Sequence, residues 1–324
     1  MGHDLLEEWI GRFENIQLRN QEKLNFLEKL FIEFEREFME VIPLKGMDLF
    51  LRGVYRNKGL RPTCDIDLLV REEDLKKLPK FFDDRGFVLR PHGRHFLNEG
   101  FFNESFDFIS KSEGIILDLV WNFWYLDIKK IWKRTVFRNT PLGLKKLLHP
   151  QDMLLYLIAY RIIQRGELSP VLAQDLEVLI ECEKDSIDWL RWCAEVIDCH
   201  LEIPVYYGLK YAAGNGVRNI PDFVFDKLYT HTFKERCLVW FYQRIVREKS
   251  APSSYLRPLI AAPNLRAKLT LLKRILFPPQ RFIELRCGKK SWLERLLVGI
   301  FRPFRIFIRS FYVIPRDLFR LFWG

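Results

Sequence analysis

The hydrophobic pattern changes once along the chain, at His149-Pro150, and that change constrains the fold more than any other feature. Upstream, short helical and strand-like segments alternate. Residues 22–40 place Leu24, Leu27, Phe31, Phe34 and Phe38 at helical spacing with charges between them, which predicts an amphipathic helix. Val41 to Leu44 predicts a short strand broken by Lys45-Gly46, and Met47 to Tyr55 a second short helix. Asp65 to Val70 alternates like a strand, 72–85 reads as a helix stopped by Gly86, and 87–121 holds three strand-like runs between Gly-containing turns. Downstream, 151–165, 170–183, 186–199, 204–213 and 231–248 all read as helices, with Pro150 and Pro170 in first turns. The expected architecture is α/β (α+β): a small mixed sheet with N-terminal helices over 1–148, a helical domain over 149–288, and a basic amphipathic tail over 289–324.

A chain of 324 residues that is 48% hydrophobic, with 28 phenylalanines, is too apolar for disorder and long enough for two cores. The amino terminus, MGHDLLEEWIGRFEN, is acidic and amphipathic, unlike a secretory signal. No apolar run approaches the ~18 residues of a spanning helix. The six cysteines form no CxxC pair and lie mostly among apolar residues, so buried, reduced thiols are expected rather than disulfides or zinc ligands. His92 and His95 sit in a Pro-Gly loop without acidic or cysteine neighbours and read as exposed loop residues. The aromatic run at 121–132 reads as core packing rather than a base-stacking platform.

The residues that point to chemistry are acids inside apolar strands. In Asp65-Ile66-Asp67, positions i and i+2 of a strand face the same way, so two carboxylates converge. Like charges held together call for a cation between them, and a divalent metal with oxygen ligands supplies one. Asp118, within Gly114-Ile-Ile-Leu-Asp-Leu-Val-Trp121, is a third acid in an apolar strand; Asp107, in a more polar run, is its rival. Three converging carboxylates suit magnesium ions at a phosphoryl transfer. Gly46, at a strand-to-helix junction, allows backbone to approach a phosphate, and Lys45 and Arg61 are cations available to a triphosphate.

The run IPLKGMDLFLRGVYRNKGLRPTCDIDLLV, residues 42–70, resembles the signature of the uncharacterised nucleotidyltransferase family of the DNA polymerase beta superfamily. The likeness continues more loosely to about residue 230, through Gly86-Phe87, His149-Pro150 and Asp175. It implies that Asp65 and Asp67 ligate magnesium, that Asp118 is the third acid, and that Gly46 is the phosphate-loop glycine. Two positions depart from relatives: Met47 stands where the superfamily has Ser or Gly, and Val120 where relatives often have His.

The expected function is transfer of a nucleotidyl group from a nucleoside triphosphate to an acceptor hydroxyl on a protein, sugar, peptide or RNA. The alternative is a non-catalytic nucleotide-binding or scaffold protein acting at the membrane surface. Residues 289–324 hold eight basic residues against two acidic ones, +6 of the chain's +10, interleaved with Trp, Phe, Leu and Ile. Such a tail predicts an interfacial contact with an anionic membrane surface, and hence a cytoplasmic protein peripheral to the inner membrane face. Packing of the tail onto the helical domain, or into a dimer interface, is the competing expectation.

Overall fold

The computed structural model describes residues 2–89, 103–123, 125–165, 169–229 and 265–277. The predicted helix at 231–248, the tail at 289–324, His92 and His95 lie outside them.

Helix α1 (Gly2–Arg36) extends the predicted amphipathic helix by twenty residues towards the amino terminus. Those added turns bury little: Leu6, Trp9 and Ile10 remain exposed. After α1 come β1 (Val41–Pro43), α2 (Lys45–Leu51), β2 (Ile66–Val70), α3 (Leu78–Asp83), β3 (Phe87–Leu89), β4 (Asn103–Ser110) and β5 (Ile116–Phe123). The expected 72–85 helix is a 3-10 turn over Glu72–Lys76 followed by α3, with Pro79 in the first turn of α3. Strand β2 starts at Ile66, so Asp65 lies at the bend ahead of it rather than in the strand.

The strands form one sheet in the order β1-β2-β5-β4-β3. Strand β2 runs parallel to β5, and the other pairs are antiparallel. Alternation gives the sheet two unlike faces. Ile66, Leu68, Leu117, Leu119, Phe106 and Phe108 occupy one. This face is covered by α1 and α3 through rings: Phe82 stacks on Phe108 at 4.4 Å between centroids, and Phe26 meets Phe87 edge-on at 5.8 Å. The other face carries acids.

Past β5, α4 (Ile128–Arg134) and a hairpin of β6 (Val136–Thr140) and β7 (Gly143–Leu147) join the sheet to the helices. The helices are α5 (Pro150–Ala159), α6 (Pro170–Glu183), α7 (Trp189–Asp198), α8 (Glu202–Gly214), α9 (Asp222–Leu228) and α10 (Leu265–Leu276). Pro150 and Pro170 lie in first turns as the sequence predicts, and side chains cap three starts: His149 accepts from the Gln151 amide, Ser169 caps α6, and Asp188 caps α7, which begins at Trp189 rather than 186. Helix α5 widens into a π-helical turn at Tyr160–Arg165.

One contiguous hydrophobic core runs from Leu24 to Leu228 and takes side chains from both the sheet and the helices. From the aromatic run, Phe123, Tyr125 and Ile131 are buried in it. The expectation of buried thiols needs correcting: Cys64 and Cys182 are exposed, Cys199 is half-buried, and only Cys193 of these four is buried. All four are free. Cys64 sits in a bend between Thr63 and Asp65, and Cys182 lies on α6 between Glu181 and Glu183, polar neighbours that leave both thiols exposed.

Candidate active site

The parallel pairing of β2 with β5 sets Asp67 opposite Asp118, and the antiparallel pairing of β4 with β5 sets Asp107 opposite Asp118. Directly paired residues share a face, so Asp67, Asp118 and Asp107 form a row across three neighbouring strands. Asp67 is buried at 3% exposure, and the other two are half-buried. Asp65, also half-buried, stands just ahead of the row. The rival third acids are therefore neighbours on one face.

Lys45 is the cation held against this row. The Leu44 amide donates to the Asp67 carbonyl at 2.9 Å, tying the start of α2 to β2. The Lys45 backbone then turns through φ +48°, a left-handed conformation uncommon outside glycine. Its ammonium donates to Asp67 Oδ1 and lies 3.8 Å from the centroid of the Tyr160 ring. Tyr160 opens the π-helical turn, so the irregularity in α5 delivers the ring to the lysine. Burial alone would lower the Lys45 pKa, but Asp67, with Tyr160, Tyr156 and Asp118 nearby, holds it well above the ordinary lysine value. Burial also pushes the Asp67 carboxyl up to about 7, with Asp65 and Asp118 adding repulsion against the pull of Lys45.

Buried phenols line the same region. Tyr156 is fully buried, its ring centroid 5.7 Å from that of Tyr160, and burial raises the pKa values of Tyr156 and Tyr125 well above the ordinary phenol value. The sequence reading did not single out these three tyrosines. Their charge-free side chains resemble core residues until the fold brings them to Lys45.

Arg61 and Gly46 meet each other beside α6. Arg61 is 5% exposed, and its Nε and Nη2 both donate to Asp175 of α6 at 2.8 Å. The Tyr55 hydroxyl donates to the same carboxylate at 2.6 Å. Two guanidinium nitrogens of Arg61 thus serve a strut between the sheet and α6. A Cβ on residue 46 would run into Arg61 Nη1 and Thr63 Cγ2, so glycine there admits the strut. Met47 and Val120, the two departures from relatives, are both buried in the core.

Lys23 is a second cation at the site that the sequence reading missed. Asn20 of α1 donates from Nδ2 to the carbonyls of Lys58 and Arg61, both at 2.8 Å, and accepts from the Thr63 hydroxyl. One turn further on, Lys23 is only 8% exposed and stands within electrostatic reach of Cys64 and Asp65. Burial lowers its pKa, while Cys64 and Asp65 oppose that shift. A legible signal existed. Asn20 and Lys23 interrupt the apolar stripe of Leu24, Leu27, Leu30 and Phe34, and a polar residue on such a stripe needs a partner.

The donor set suits a hard divalent cation, since carboxylates of neighbouring strands share one face. Among the described residues, however, no three His, Cys, Asp or Glu side chains are already gathered as a metal cage. Lys45 instead holds Asp67.

A family model described as an uncharacterised nucleotidyltransferase matches residues 1–214, from α1 to the end of α8. No curated protein matches the chain.

Proposed function

The chain belongs to this uncharacterised nucleotidyltransferase family, and from that membership and the acid row we propose that it transfers a nucleotidyl group from a nucleoside triphosphate to an acceptor hydroxyl. The observation that carries the reading is the convergence of acids at one sheet face: Asp67 is buried beside Lys45, and Asp65 and Asp118 stand close enough to push its carboxyl up. These three acids are the residues that would hold magnesium, which when bound supplies positive charge to the phosphate oxygens during transfer.

The protein's own groups then have distinct tasks. Asp67 would be one of the metal's holders, and Lys45, which donates to Asp67 from the start of α2, is the cation nearest to it for a triphosphate oxygen. Lys23 contributes a second ammonium from α1 to the same phosphates. Asp118 lies at the centre of the row and accepts the proton of the acceptor hydroxyl as its oxygen attacks the α-phosphorus and pyrophosphate departs. Arg61 and Gly46 act as positioning residues, since the Arg61–Asp175 strut fixes the turn that carries Lys45.

A second reading is supported by the Lys45–Asp67 pair itself. A protein whose acid row is permanently neutralised by its own lysine would keep the fold and bind nucleotide without turning it over. Incubating purified protein and lysate with each labelled triphosphate, then identifying the labelled molecule, separates the two. Label on an acceptor that disappears with Asp65→Asn supports transfer. Nucleotide binding without label under any condition leaves the non-catalytic reading in its place.

A further inference from the structure

Helix α10, Leu265–Leu276, lies beyond the residues that the family model matches. Three of its leucines point outward: Leu265 is 71% exposed, Leu269 55% and Leu272 41%. Spacings of four and three place them on one strip of a 3.6-residue helix. Leu271, at 4% exposure, falls on another side of the helix and is buried. The same geometry puts Lys268 on one flank of the strip and Lys273 on the other. Phe277, just past the helix, is 58% exposed. No acidic residue occurs from 265 to 283.

The charge of the chain is concentrated at this end. Residues 265–324 contain fourteen Lys and Arg against three acids, a balance of +11, so the preceding 264 residues sum to −1. An exposed leucine strip bordered by lysines gains from apolar burial and anionic contact at once. A nucleic acid would satisfy only the lysines, and an acidic protein surface would leave the leucines wet. The helix is about 18 Å long, short of a ~30 Å hydrocarbon core. No helix among the described residues is long and apolar enough to cross a membrane.

We infer that α10 is an interfacial helix that lies in the plane of an anionic phospholipid surface, leucine strip inward, with Lys268 and Lys273 at the headgroups. The inference is independent of the transfer reaction, because none of these residues belongs to the acid row. It also locates membrane contact upstream of the tail at 289–324.

The test uses the full chain with vesicles of phosphatidylcholine alone or doped with phosphatidylglycerol. The wild type should sediment with the anionic vesicles, weakly with the neutral ones, and less at high salt. L269S/L272S should lower anionic partitioning about tenfold or more. K268Q/K273Q, which spares the apolar strip and serves where the leucine variant folds poorly, should lower it about fivefold per lysine. Amide exchange of the unaltered chain gives a local readout: slowing across 265–277 on anionic vesicles is expected. Unchanged exchange there, or wild-type sedimentation by both variants, overturns the inference even if the tail binds lipid. A lipid-free dimer abolished by L269S/L272S would also overturn it, by assigning the strip to a second copy of the chain.

Discussion

Where the sheet meets the helices, buried acids are held by arginines; on the acid-bearing face of the sheet, Asp67 is paired with a lysine and has other carboxylates for neighbours. Asp175 is held by Arg61, Asp48 by Arg52, Glu183 by Arg52 and Arg138, and Asp152 by Arg134. Asp67 has Lys45, while Asp65 and Asp118 add negative charge around it and Asp107 extends the row. Both regions bury carboxylates, so burial alone does not mark a functional site. The neighbours do. At the junction the acids are met by arginines and serve architecture, whereas in the row carboxylates repel one another across neighbouring strands.

Four sets of substitutions and one pH series can break or sharpen that contrast. The largest effect belongs to the row: Asp65→Asn or Asp118→Asn should cut nucleotidyl transfer by about a hundredfold to a thousandfold or more. Melting temperature should hold or rise slightly, since either change relieves like-charge repulsion. Full activity in both variants would remove the row from the reaction.

At the junction the consequence reverses. Asp175→Ala strands a buried guanidinium and should cost about 3–5 kcal/mol in denaturant unfolding. Combining Asp175→Leu with Arg61→Met should recover most of that loss, because burial without charge carries no such penalty. If Asp175→Ala unfolds like the wild type, the strut is not what joins the two parts.

Asp67→Asn crosses the two behaviours. It relieves repulsion in the row but leaves the Lys45 ammonium without its carboxylate, a cost of about 3 kcal/mol. Its stability should therefore fall while that of Asp65→Asn does not, and equal melting curves would contradict the asymmetry.

The Asp152 carboxyl provides a pH test of the junction. Burial raises its pKa from 3.8 to about 6, with Glu195 adding to the shift and Arg134 opposing it. Between those values the folded protein retains a proton that the unfolded chain has released, so the contribution is present at low pH and is lost as pH rises through about 6. Relative to Asp152→Asn, wild-type stability should decline by about 2 kcal/mol between about pH 4 and about pH 7. A constant difference across that window refutes the assignment.

The smallest effect is that of Lys23→Met, which should weaken triphosphate binding about tenfold and monophosphate binding much less, as expected for one charge-assisted contact. Equal losses for both nucleotides would place Lys23 elsewhere than at the distal phosphates.

What was legible in the sequence follows from what local pattern encodes. Asp67 and Asp118 stood out because acids inside apolar strands are costly unless used, and parity fixed their faces. Parity does not fix neighbours, so Asp107 was set aside although the register puts it opposite Asp118. Lys45 and Arg61 were counted as available cations because charge is visible in sequence and pairing is not; the partner of Arg61 lies 114 residues away. The β6–β7 hairpin is not legible in the sequence because VFRNT and GLKKL alternate too little between apolar and polar residues, despite Pro141 in the turn and Gly143 at the start of β7. The helical half was easier to read, since its caps and stripes are local signals repeated in each element.

Convergent carboxylates should take up a divalent cation, and metal binding measures that property directly. Titrating the purified chain with manganese in the presence of a non-hydrolysable triphosphate, followed by electron paramagnetic resonance of the free ion, counts sites without requiring turnover. Saturable uptake beyond that of the nucleotide alone is expected, lost in Asp118→Asn and retained in Asp152→Asn. Uptake no greater than the nucleotide's own, or undiminished in Asp118→Asn, would contradict it.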